Sequence, residues 1–381
     1  MNTTLERHNI TFTESRRILP TTILRAVVAG VLCILTLIAN GIFTASPTLA
    51  DGYAEIFRYA AVLLSGAFSY IPFILAEVLL YAAITGVCIY LVFEIFLTLT
   101  HTGKLARVGR MAANFAVAAS LLWFLFVMSY GFAYHCSPLS DKLGLEPQPT
   151  EVETLYHTTA WLIEEANALS KTVPRDASGS MTSASFDTIA DSIASGYNTL
   201  ASSYEFYRST YAPAKRVRSW HAMSAFGITG IYIPYTAEAA VNPDNTVPAL
   251  PFTMAHEMAH RLMIAPEDEA NFSAFLACRS NADRRVRYSA YFMAYRYCIN
   301  ALYAADSALA ISVMEQASPE LNYDLEELNA LIAKYQSPVQ EVGDAINDTY
   351  LKANSQVSGT QSYGEVVDLL IAVYVSENTV S

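Results

Sequence analysis

The sequence predicts a mainly α (α+β) membrane protein. Three N-terminal transmembrane helices precede an extracytoplasmic, mostly helical domain with a short edge-strand segment. Three observations predict this. First, apolar residues make up 53% of the 381-residue chain and charged residues only 15%, against about a quarter charged in ordinary soluble domains. The apolar excess lies in the first third. Second, basic residues gather at the N-terminus and again at 101–110. Third, beyond Cys136 apolar residues recur at helical spacing, broken by one β-rich stretch. The chain thus divides into a membrane domain, 1–135, and an extracytoplasmic domain, 136–381.

The first span is expected at about 26–45, where no charged residue occurs and the length suits a bilayer crossing. Thr48-Leu49-Ala50 resembles a signal-peptide cleavage site, but the long polar segment before the apolar run favours a retained anchor. Residues 46–70 carry Asp51, Glu55 and Arg58 beside apolar residues and read as an external loop or an interfacial helix. A second span is expected at about 71–99, with Glu77 and Glu94 near its ends facing the headgroups. A third is expected at about 111–134. Arg7, Arg16, Arg17 and Arg25 precede the first span, and Lys104, Arg107 and Arg110 join the second to the third. The positive-inside rule puts both basic segments in the cytoplasm and everything after 135 outside.

The distal part reads in order as a helix over 150–172, a polar linker over 173–184, and an amphipathic helix over 185–208. Lys215, Arg216 and Arg218 read as a solvated basic face. The run FGITGIYIPYTAEAAVN then predicts one or two short strands. Its proline suggests an edge, and Gly230, Ile231, Tyr232 and Ile233 are candidates for docking an extended peptide by strand addition. A helix over 252–263 follows, and a second helix from Pro266 through Cys278. The remainder, 286–381, reads as largely helical with a packed terminal element.

The first of these two helices carries His256-Glu257-Met258-Ala259-His260. Positions i and i+4 share a helix face, so both imidazoles can meet one ion, with Glu257 beside it. A catalytic zinc takes three protein ligands and keeps one position open. On the second helix Glu269 shares a face with Phe272 and Leu276 and is expected to point inward as the third ligand, while Glu267 falls on another face with Asn271 and Ala274. Glu257 is the candidate general base and acid in water activation. Tyr288, Tyr291 and His221 are unranked candidates for stabilising a tetrahedral oxyanion. One Zn2+ per chain is implied.

These residues carry a resemblance. HEMAH followed by EDEANFSAFLAC resembles the gluzincin pattern, and its EAN-F-x-A form is similar to ImmA/IrrE-type metallopeptidases. More closely, the chain resembles a bacterial family of membrane proteins of unknown function regarded as zinc peptidases. It shares their spans, GITGIYIPYTAEAAVN, LPFTMAHEMAH, EDEANFSAFLAC and SYGEVVDLL. The resemblance implies a zincin-like domain with His256, His260 and Glu269 as ligands and Glu257 as catalytic acid/base. One departure is Met263, where such families commonly have glycine.

The function expected is that of a membrane-anchored zinc metallopeptidase acting on peptides or proteins at the membrane surface. The alternatives are a metal-binding sensor or scaffold without turnover, and an intramembrane-cleaving zinc protease. The net charge of −12 argues against nucleic acid as a partner. The bilayer is the other expected partner. The five cysteines show no CxxC spacing. Cys278 and Cys298 are left as a pair for a disulfide if the compartment is oxidising.

Overall fold

Helices α1 (Asn2–Ala45), α2 (Pro47–Ser69), α3 (Leu75–Thr100) and α4 (Lys104–Ser129) form the N-terminal third. The computed structural model describes residues 2–147, 151–209, 212–354, 356 and 366–378, with side chains from Leu19 onward. The chain forms two compact units: Met1–Pro47 with Leu75–Phe132, and Thr48–Ile74 with Ala133–Ser381.

In the first unit three helices are long and apolar enough to cross a membrane, at Leu19–Ala45, Leu75–Thr100 and Lys104–Ser129. α1 packs along α4. The third span begins earlier than expected, because Lys104, Arg107 and Arg110 extend the helix rather than forming a separate connector. It also ends earlier, at Ser129, and Gly131–His135 is a 3-10 turn. Arg110 explains part of the shift. Its guanidinium lies 2.8 Å from the buried Glu94 carboxylate on α3, so that carboxylate is paired rather than facing headgroups.

The second unit holds α2, then α5 (Leu139–Leu143), α6 (Val152–Ser170) and α7 (Phe186–Leu200). It continues with β1 (Lys215–Arg216), α8 (Trp220–Ala225), β2 (Gly230–Ile233), β3 (Glu238–Val241), α9 (Leu250–His260) and α10 (Glu267–Arg279). It closes with α11 (Arg284–Ala305), α12 (Ser307–Met314), α13 (Pro319–Tyr335), α14 (Pro338–Ala353) and α15 (Val366–Asn378). Side chains cap several helices by accepting from first-turn N–H groups: Ser185, Asp283, Asp306, Ser318 and Ser337. Pro319 and Pro338 follow two of these serines, where a missing N–H is harmless.

The sheet has the order β1-β3-β2, with β1 parallel and β2 antiparallel to β3. β2 is therefore an edge strand. Of the basic cluster Arg216 and Arg218 are exposed, as expected of a solvated face, and Lys215 is not. Lys215 opens β1, pairs at 2.8 Å with the buried Glu238, and donates to Phe68 O. The second amphipathic helix stops at Leu200, short of the expected 208, and Tyr204 lies beyond it. α9 and α10 sit in the centre of the core, packed against each other, α7 and α11. Gly196 permits the approach of α7 to α10, since a Cβ there would overlap Ala277 O. Ser289 Oγ on α11 accepts from Phe252 N at 3.0 Å, satisfying an N–H in the first turn of α9. The terminal element is α15, buried along Val366–Val373, while Ser362–Glu365 of SYGEVVDLL lie outside the described residues. Cys278 and Cys298 are both buried free thiols.

Candidate metal centre

His256 and His260 lie one turn apart at the C-terminal end of α9, with both Nε2 atoms turned to one point, 3.1 Å apart. The third group there is Glu267. Its Oε2 lies 3.2 Å from His256 Nε2 and its Oε1 3.8 Å from His260 Nε2. Ligand atoms of these three residues all fall within 4.8 Å of one another.

Glu269 does not join them. Its Oε1 accepts from the Leu139 backbone N–H at 2.8 Å, capping the first turn of α5. The expectation failed because it assumed that α10 has one inward face. Every residue from Ala270 to Cys278 is buried, so apolar neighbours do not identify the site side of the helix. The face holding Glu267 and Asn271 is the one that meets α9.

The outer nitrogens of the histidines are also held. His260 Nδ1 donates to Ile264 O at 2.7 Å, and His256 Nδ1 donates to Asn271 Oδ1 at 2.9 Å. Tyr297 OH donates to the same Asn271 oxygen at 3.2 Å. Such outer bonds fix the tautomer and leave each Nε2 as a lone-pair donor. Asn271 and Tyr297 were not singled out as site residues from the sequence. The usable signal for Asn271 was its i+4 spacing from Glu267.

The chain after His260 turns sharply into α10. Met263 makes that turn with φ of 63°, the left-handed conformation that glycine adopts most easily. This is the position where the sequence departs from the glycine expected. Met263 is buried, so its side chain contributes packing that glycine would lack.

Glu257 is almost fully buried, and its Oε2 has no hydrogen-bond partner among the described residues. It lies against the edge strand: a Cβ on Gly230 would overlap Glu257 Oε1 and come within 2.6 Å of its Cγ. Gly230, Ile231, Tyr232 and Ile233 are indeed the four residues of β2. The side of β2 away from β3 has no strand partner among the described residues.

The three oxyanion candidates lie elsewhere or make no contact with the cluster. Tyr288 is buried and donates to Asp324, which Arg175 also holds. Tyr291 packs edge-on to Trp161 and Phe275. His221 is exposed on α8 and stacked on Trp220. Burial pushes the Tyr350 phenol on α14 up to about 12, with the Glu267 charge adding to it, and Tyr350 OH accepts from Tyr134 OH at 3.2 Å.

Charge in the cluster is strongly coupled. Burial works against a proton on His256, but the hydrogen-bonded Glu267 carboxylate outweighs it and pushes His256 up to about 9. Burial and the His256 charge pull His260 down to about 4. Burial raises Glu267, yet the two histidines hold it below its ordinary value. Burial pushes Glu257 up to about 8, against the pull of His256. Glu269 is pushed up to about 7 by burial despite its Leu139 N–H. The Glu267 carboxylate, 3.2 Å from His256 Nε2, thus favours the protonated form of His256.

A pH dependence follows for metal-free protein. His256, Glu257 and Glu269 each have folded values above their unfolded ones. Their contributions are complete at low pH and are lost as pH rises through about 9, 8 and 7 respectively. His260 acts oppositely, but only between about 4 and 6.5. Stability should therefore fall between pH 6.5 and 9, the span over which the raised groups deprotonate. Urea midpoints in chelator across that window test it, and a flat or rising midpoint contradicts it.

Two nitrogen lone pairs and a carboxylate converging on one point fit a divalent cation, with zinc the natural match to an N2O donor set. The unpartnered Glu257 oxygen beside them suits a group that must receive a proton. Comparison with curated proteins finds no match, and comparison with solved structures finds none either. One family matches, over residues 53–371. It is described as a protein of unknown function, DUF3810, and the chain belongs to that family.

Proposed function

We propose that this protein is a membrane-anchored zinc metallopeptidase whose catalytic domain lies outside the cytoplasmic membrane. The observation that carries the reading is the convergence of His256, His260 and Glu267 beside the buried carboxyl of Glu257, under an edge strand. His256 and His260 would hold the ion through Nε2 and Glu267 through its carboxylate. A zinc ion there supplies Lewis acidity, lowering the pKa of water and polarising a carbonyl. Glu257 takes the proton of the attacking water and returns it to the leaving amine. Asn271 and the Ile264 carbonyl keep the imidazoles aimed. The free side of β2 offers backbone N–H and C=O groups to an extended peptide, which would lie next to Glu257 through Gly230.

Orientation rests on charge. Arg7, Arg16 and Arg17 precede the first span, Arg25 lies in its second turn, and Lys104, Arg107 and Arg110 open the third. Placing both groups in the cytoplasm puts α2 and the cluster on the other side. Intramembrane cleavage is disfavoured, because α9 has 11 residues against the roughly 20 that a span needs.

The test uses full-length protein in lipid nanodiscs, with elemental analysis and a peptide-library cleavage assay. About one zinc per chain, with cleavage lost to a chelator and restored by zinc, supports the reading. Bound zinc without any cleavage turns it into a metal-dependent sensor or scaffold. Absence of metal from carefully handled protein overturns both.

A further inference from the structure

The helix α2 has two unlike faces. Ala50, Ala54, Ala61 and Ser65 are buried, and they recur at the spacing of one helix side. Polar groups at the margin of that side tie α2 to the rest of the second unit. Asp51 accepts from Ser137 N at 3.1 Å and from Ser137 Oγ, and pairs with Lys142 at 3.0 Å. Arg58 donates to Phe206 O at 2.9 Å and lies 4.3 Å from the Phe206 ring centroid. Lys215 reaches the last turn at Phe68 O, 2.7 Å.

The opposite arc holds Leu49, Ile56, Tyr59, Leu63 and Ala67, and Tyr70 follows in the turn just past the helix, all of them exposed. Leu63 is 75% exposed and Tyr70 90%. Glu55 is the one charged residue beside this arc, at its edge. A continuous apolar arc of this length in water would be an aggregation-prone patch. Chain continuity says what covers it. Only Ser46 separates α2 from the candidate span that ends at Ala45, and residues 70–74 lead directly into the span that begins at Leu75. Two crossing spans joined this directly would keep both ends of α2 at the bilayer surface, on one side.

We propose that α2 is an interfacial helix lying along the bilayer surface, with the Leu49–Tyr70 arc among the headgroups and upper acyl chains. Its tyrosines suit that depth, where amphipathic rings concentrate. Its other face is bonded to the domain, so the helix fixes the height and tilt of that domain over the lipid. The route to the metal cluster is short. Asp51 holds Ser137 and Lys142, which flank Leu139, and the Leu139 N–H holds Glu269 on α10, the helix that carries Glu267. The proposal needs no catalytic activity.

The test places a photoreactive p-benzoylphenylalanine at Leu63, and in a second protein at Tyr70, within the full chain in phosphatidylcholine–phosphatidylglycerol nanodiscs. Both sites are exposed, so neither substitution disturbs packing, and retained elution volume verifies folding. After irradiation the peptide carrying each position should shift by the mass of one phospholipid. A covalent dimer through position 63 would mean that a second copy covers the arc and would overturn the proposal. Folded protein with no lipid adduct at either position would overturn it equally.

Discussion

Glu257→Gln is expected to lower peptide cleavage by about 10²–10⁴-fold, the usual contribution of a positioned general base and acid. Metal content should stay at the wild-type level, because His256, His260 and Glu267 are untouched. The amide keeps the size of the side chain but cannot take a proton from water. It also mimics the neutral form that burial favours in the metal-free chain, where Glu257 is pushed up to about 8, so folding should not suffer. The measurement is kcat/KM beside zinc stoichiometry. Wild-type turnover in this variant would remove Glu257 from the chemistry. Gly230→Ala perturbs the same carboxyl from the strand side. Gly230 does not have a positive φ, so alanine meets no backbone strain there, and the effect is the overlap of its Cβ with Glu257. A displaced base should reduce kcat by up to about 10²-fold while metal is retained.

The parts of the fold that read correctly from sequence were those set by long-range composition. A long apolar run reads as a candidate span, and the three helices of the first unit that are long and apolar enough to cross a membrane stand where such runs occur. Their ends read less well. Lys104, Arg107 and Arg110 looked like a connector because they are charged, but they are good helix formers, and Glu94 across the hairpin gives Arg110 a partner. Lys215 misled for the same reason: its buried carboxylate, Glu238, lies on another strand. The HEMAH letters placed two histidines and a glutamate on one helix because that geometry is local. The tyrosines of α11 were candidates by type alone, and the structure uses Tyr288 to hold Asp324 instead. Met263 was visible as a departure, and the backbone shows that it meets the left-handed turn itself rather than avoiding it.

The third ligand was the harder inference, and it yields the sharpest test. Glu267→Ala should lose zinc affinity by more than the roughly 10–100-fold typical of removing an outer-shell partner, whereas Glu269→Ala should keep its metal. Residues two apart on a helix point in nearly opposite directions, so the two carboxylates cannot substitute for each other. Glu267 faces both histidines, and its carboxylate raises the His256 pKa. Glu269 faces α5 and satisfies the Leu139 N–H. Its removal should instead lower stability by about 1–3 kcal/mol, the cost of leaving a buried donor unpaired. Glu267→Ala carries a second signature: without its carboxylate the His256 pKa should fall, visible in the imidazole proton resonances of metal-free protein. Zinc lost in Glu269→Ala but retained in Glu267→Ala would require α10 to be turned by about half a revolution from the arrangement described. The Asn271 bond to His256 would then break as well, so histidine NMR of the two variants decides between the arrangements independently of any catalytic assay.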